Sequence, residues 1–175
     1  GAGGSLGAQH VAQATDNHSF LITSSSIATL PAMRRDPGLD PLTDLQPVTL
    51  VTDAPLLISG RPNGPADLAA YLARAKATPG KLSWGSSGVG SATHLAGALL
   101  MQRAGIELLH VPYRGATLAM NALLAGDIDS IITDVSIPLE HLRAGTLRPI
   151  GVTSAARAPL LETSQPDKIV TTIVT

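Results

Sequence analysis

The residues best placed to do chemistry lie in WGSSGVGSATHL, from Trp84 to Leu95. A strand reaches Trp84, then Gly85, Gly88 and Gly90 let the backbone turn tightly, and a helix opens at Ser91 or just after. Backbone N–H groups at a helix start lack partners within the helix, and the helix dipole adds partial positive charge there. Such a loop suits a carboxylate or phosphate, and Ser86, Ser87 and Ser91 add hydroxyl donors. Two other readings stay open: a plain helix N-cap flanked by turn residues, and a nucleophile loop. His94, about one turn into the helix, is either a general base for Ser86 or Ser87 or a hydrogen-bonded structural residue. Named motifs do not fit. No Lys follows Gly88 or Gly90 as a Walker A loop requires, and Thr93 replaces the third glycine of G-x-G-x-x-G. The nucleophile elbow G-x-S-x-G fails at Val89.

Two further segments point to the same place. In HVPYRG, from His110 to Gly115, Tyr113 could wall a pocket and Arg114 could pair with an anion, or both could pack as ordinary loop residues. Asp134 ends the next strand, where it could accept from a ligand or water, or cap the helix that follows. Three strand-to-helix loops thus converge on the carboxyl edge of one sheet, the usual ligand edge of open α/β sheets. His10, His18, His94, His110 and His141 show no metal-ligand spacing, and Cys is absent, so neither a metal site nor a thiol nucleophile is expected.

The elements that must position these residues alternate. Residues 4–14 fit a short helix, 19–23 a strand, and 24–47, with Pro31, Pro37, Pro41 and Pro47, a long loop with one helical turn at most. Residues 49–52 and 56–59 are strand-like, and Pro65 at a first helical position opens a helix that Pro79-Gly80 ends. Strands at 81–85, 108–111, 128–133 and 147–153 then alternate with helices at 91–103, 116–124 and 138–144. On the helix at 91–103, Leu95, Leu99 and Gln102 share one side. The pattern predicts an α/β fold with a mainly parallel sheet and helices on both faces. The 175 residues carry a net charge of −1, which disfavours a nucleic-acid partner. Aromatic residues make up 2% and charged residues 14%, so the buried surface must be largely aliphatic. No apolar run approaches the ~20 residues of a membrane span.

Several segments together resemble the extracytoplasmic solute receptors of the tripartite tricarboxylate transporter family, also called Bug receptors. They are GAGGSLGAQHVAQA, DPLTDLQPVTLV, PGKLSWGSSGVGSATHLAGALL, HVPYRGATLAMNALLAGDIDSIITD and HLRAGTLRPIGVTSAAR, in order from Gly1 to Arg157. The resemblance implies a periplasmic-binding-protein-like fold of two α/β lobes that captures a small carboxylate for the membrane subunits of a transporter. It implies capture by backbone amides, hydroxyls and waters, with no cofactor and no catalysis. The residues it points to are Ser86, Ser87, Gly88, Gly90, Ser91 and Asp134, with Ser24, Ser25 and Ser26 on the rim of the first lobe; His94 and Tyr113 stay candidates from their place at the same edge.

Against the family's pattern, the strand and glycine-rich loop that precede GAGG are missing, and residues 158–175 depart from it. The expectation is a partial first lobe at 1–54, a complete second lobe at 55–153 and an atypical tail or return segment at 154–175. Unpaired sheet edges would invite a homodimer. A remnant or interaction module without ligand binding, and a Ser/His hydrolase, are the competing functions.

Overall fold

A computed structural model describes residues 4–16, 18–33 and 38–154, and the backbone of 171–172. The chain divides into two compact units, Gly1–Thr52 with Gly90–Ala92, and Asp53–Val89 with Thr93–Thr175.

In the first unit, helices α1 (Ser5–Ala12) and α2 (Ser26–Met33) close a small core of Ala8, Leu30 and Leu39, with Leu21, Ile27 and Leu45 packed against it. The strand expected at 19–23 is irregular chain instead. Asp16 turns the backbone there by accepting from the His18 and Ser19 amides, both at 3.1 Å, and Leu21 packs on the helices rather than on a strand neighbour. The expected loop at 24–47 holds α2, two turns long with Pro31 inside. Its start is set by the Ser24 carbonyl, which accepts from the Ile27 amide at 3.2 Å. Residues 49–52 are not a strand either; Val48, Leu50 and Val51 stand exposed.

The second unit is an α/β layer structure. Strands β1 (Leu56–Gly60), β2 (Ser83–Ser86), β3 (Leu109–Pro112), β4 (Ser130–Asp134), β5 (Arg148–Val152) and β6 (Thr171–Thr172) form one sheet in the order β3-β2-β4-β1-β5-β6. Helices α3 (Leu68–Ala77) and α4 (Ala92–Ala104) contribute to the cluster on one face, around Tyr71, Trp84, Leu100 and Ile132. Helices α5 (Ala116–Ala125) and α6 (Leu139–Arg143) cover the other, around Leu57, Leu123, Ile131 and Leu142. Adjacent strand residues such as Leu57 and Ile58, or Ile131 and Ile132, divide between the two clusters as the pleat requires. In β5, Ile150 is an extra residue opposite Ile58 and Ser59, a bulge that sends Ile150 and Val152 to opposite faces.

The sheet is mixed. β2 pairs parallel with β3 and β4, and β5 with β6, but β1 runs antiparallel to both β4 and β5. The α/β architecture expected from the alternation is present, with that one central strand reversed. A strand buried on both faces reads as a continuous apolar run whichever way it points, so its direction leaves no mark in the sequence.

Helix boundaries have local causes. α3 opens at Leu68, not at the Pro65 expected in its first helical position, and Asp67 caps it, accepting from the Ala70 amide at 2.8 Å. The buried side of α4 is Thr93, Gly97 and Leu100, and Leu99 is exposed, because the helix lies against Trp84. A Cβ built at Gly97 would overlap the Trp84 ring, so only glycine lets helix and strand approach this closely. Residues 155–170, which hold most of the expected tail, lie outside the described residues.

Candidate functional site

β3, β2 and β4 are parallel neighbours, so their carboxyl ends lie along one edge of the sheet. That edge carries Ser86, Tyr113 and Asp134, as the order of strands and loops predicts. β2 runs on through Ser86, just past the strand expected at 81–85, and brings the Ser86 hydroxyl into the sheet with no exposed surface.

The loop after Ser86 is held from inside. Ser86 Oγ lies 2.7 Å from His110 Nε2, accepts from the Gly88 amide at 3.2 Å and stands 3.4 Å from the Gly88 carbonyl. Thr93 Oγ1 accepts from the Ser87 amide at 3.0 Å and is hydrogen-bonded to Ser87 Oγ at 2.9 Å. The first turn of α4 therefore reaches back to its own approach loop. Gly88 has φ +137, and a Cβ there would meet the Tyr113 carbonyl at 3.3 Å, so a side chain is both strained and crowded. The Tyr113 amide donates to the Ser86 carbonyl at 3.1 Å, which locks the β2 and β3 exits together.

Beneath this turn three rings lie nearly parallel. Ring centroids are 4.4 Å apart for Trp84 and His110, 4.5 Å for His94 and His110, and 6.3 Å for Trp84 and His94. These distances put His110 at the corner of an L, touching both rings, rather than between two plates. Strand register produces the arrangement: Trp84 faces His110 across β2 and β3, and Ser86, two residues on, shares Trp84's side of the sheet. Partial burial, then the charge of His94, hold the His110 imidazole below its ordinary pKa of 6.5.

The expected residues divide accordingly. Ser86, Ser87, Gly88 and His94 come together in the second unit. Neither serine is paired with His94: the partner of Ser86 is His110 and that of Ser87 is Thr93. The Ser87 and Gly88 amides, expected to face a ligand, donate within the loop. Tyr113 lays its ring near Gly85 and on the cluster around Leu123, Arg114 is exposed, and Asp134 is exposed at the end of β4. Gly90 and Ser91 group with the first unit, where Thr29 Oγ1 lies 3.5 Å from the Gly90 carbonyl. Ser24 and Ser25 are exposed at the start of α2.

Sequence reading missed His110 and Thr93. His110 stands in strand alternation, and its role emerges only once β3 is laid beside β2. Among the described residues, no three or more His, Asp or Glu group to hold a metal ion, and no helix is long and apolar enough to cross a membrane.

A family model described as "Tripartite tricarboxylate transporter family receptor" matches residues 1–170. A UPF0065 protein from the tcbD-tcbE intergenic region of Pseudomonas sp. (strain P51) is 38% identical over 163 residues, 92% of this chain and 48% of the relative. The solved periplasmic binding protein BugD superposes with a TM-score of 0.85 at 31% identity, over 99% of this chain and 56% of its own. The R. palustris protein Rpa4515, solved with adipate, gives 0.83 at 29% identity, over 98% and 60%. The chain thus spans about half the length of the curated relatives it matches.

Proposed function

The chain belongs to the tripartite tricarboxylate transporter receptor family, and from that premise we propose that it serves in periplasmic capture of a small carboxylate. The observation that carries this reading is the family match over residues 1–170, and the adipate in the structure of a relative supports the ligand class. The reading assigns the membrane subunits of the transporter as partners and no catalytic step. Capture falls to a polar edge rather than a cationic one: in the second unit, the loop at Ser86, Ser87 and Gly88, the first turn of α4 from Thr93 on, Tyr113 and Asp134. Ser24, Ser25, Gly90 and Ser91 are the candidate donors of the first unit, taken by itself. With the Ser87 and Gly88 amides engaged inside the loop, their part is to shape the edge, and the positive end of α4 attracts the carboxylate.

Calorimetry and thermal unfolding of the 175-residue chain with adipate, malate, citrate and glutamate test the proposal. One acid should saturate and raise the unfolding midpoint. At a hundredfold excess over Kd the added stability is about 2.7 kcal/mol. Flat responses from a folded sample across the panel would overturn the reading for this chain and favour an interaction module.

A further inference from the structure

We propose that His110 is the positioning residue of the Ser86–Gly88 turn: its imidazole holds the Ser86 hydroxyl, that hydroxyl holds the Gly88 amide, and Trp84 and His94 fix the imidazole. Each link is short and local. His110 Nε2 is 2.7 Å from Ser86 Oγ, and Ser86 Oγ is 3.2 Å from the Gly88 nitrogen. Trp84 and Ser86 have no exposed surface, so neither can swing away to let the other partner move. Gly88, at φ +137 against the Tyr113 carbonyl, needs a tether, because glycine left to itself samples many conformations. The tether runs through a group that titrates.

Protonation changes what this chain of bonds can do. Neutral Nε2 can accept the Ser86 proton; in the imidazolium it can only donate. The Ser86 proton must then turn to the Gly88 carbonyl at 3.4 Å, a poorer acceptor geometry, while Oγ takes the proton on Nε2. No bond to carbon is made or broken, and one proton enters from solvent. The ionisable neighbours of His110 can be named among the described residues. α4 presents His94, β2 presents Trp84 and Ser86 with no ionisable group, and Glu107 and Arg114 flank β3 at its two ends. Two imidazoles with centroids 4.5 Å apart disfavour a double positive charge.

The effect on the turn stands by itself, whereas the effect on ligand affinity rests on the solute-binding reading. The experiment separates them. In the ligand-free, nitrogen-15-labelled chain, the Gly88 amide resonance should titrate with the same midpoint as the His110 imidazole. It should cease to titrate in His110→Gln, and in His94→Gln it should still titrate, at a higher midpoint. A Gly88 resonance that ignores pH, or one that titrates unchanged in His110→Gln, would overturn the proposal. The second arm measures affinity for the tightest binder among adipate, malate, citrate and glutamate. His110→Ala should weaken it about tenfold and His110→Gln, which keeps a hydrogen-bonding group, less than about threefold. Equal affinity in wild type and His110→Ala would remove the link to binding. No binding by wild type would overturn the solute-binding reading, and the Gly88 titration would still decide the positioning role.

Discussion

Both ends of β2 are tied to neighbouring strands through a serine hydroxyl, and the two ties differ in kind. At the start of the strand, the Asp129 carboxylate accepts from the Ser83 amide at 2.9 Å and the Ser83 hydroxyl at 2.8 Å, while the Asp129 amide donates to Ser83 Oγ at 3.0 Å. Ser130 Oγ donates to the Ser83 carbonyl and pairs with the Tyr71 hydroxyl at 2.9 Å. Burial pushes the Tyr71 pKa up to about 12, so this phenol keeps its proton at any ordinary pH. At the other end, Ser86 leans on His110, an imidazole whose proton is set by the solution. One end uses reciprocal bonds and a phenol locked in its neutral form, and it holds the sheet. The other ends in a glycine turn and a helix start, and it can respond.

The largest expected effect breaks the comparison from the middle. Trp84→Ala removes the ring that lies between the two ends, fully buried against Gly97 and His110. Urea unfolding should show a loss of about 3–5 kcal/mol, the usual range for a buried Trp replaced by Ala. Trp84→Phe should recover part of it, since a ring still fills the space and supports His110.

Asp129→Ala comes next. It leaves the Ser83 amide and hydroxyl at the β2–β4 junction without their acceptor, a loss of about 1–3 kcal/mol in urea unfolding. The Gly88 amide resonance should hardly move. A shift there as large as that caused by His110→Gln would show that the two ends act as one network and dissolve the contrast.

Tyr71→Phe sharpens the same end with a smaller effect. The Ser130 hydroxyl keeps the Ser83 carbonyl at 3.2 Å, so only the bond from the phenol is lost. Thermal unfolding should report about 1 kcal/mol or less, with no change in the pH dependence between pH 5 and 8.

How much of this could be read in the sequence depended on how local each cause is. β1 to β5 fall where the alternation of strand and helix segments places strands, and Gly126 and Gly145 stand just past α5 and α6 as expected. α2 was hidden because Pro31 reads as a breaker, although Ser24 already sets up its first turn. The run at Ser19–Thr23 looks like a strand, yet no pairing in the described residues involves it. The turn at Ser86–Gly88 was visible from composition. The role of His110 was not, because it depends on the register that sets Trp84 against His110, a non-local fact. The same limit applies to β3 as a dimer edge. Pro112 has no N–H to offer a further strand, which weakens that edge as a template.

The smallest effect is the one that most directly tells the two ends apart. His110 has its pKa lowered by burial first and by His94 second, so in the folded chain it releases its proton more readily than at the ordinary 6.5. Between the lowered value and 6.5 the unfolded chain binds more protons, and stability therefore rises with pH through that window. The contribution is fully present above 6.5 and is lost as pH falls below it, until the folded pKa is passed. Asp16, also lowered, acts below its ordinary 3.8 and lies outside the window. Urea midpoints measured between about pH 7.5 and 5.5 should therefore fall for wild type and fall less for His110→Gln. Tyr71→Phe should keep the full wild-type slope, since the phenol it removes stays protonated across this window. Equal slopes for wild type and His110→Gln would mean that the imidazole is no more than a neutral spacer, and the two ends of β2 would then be alike.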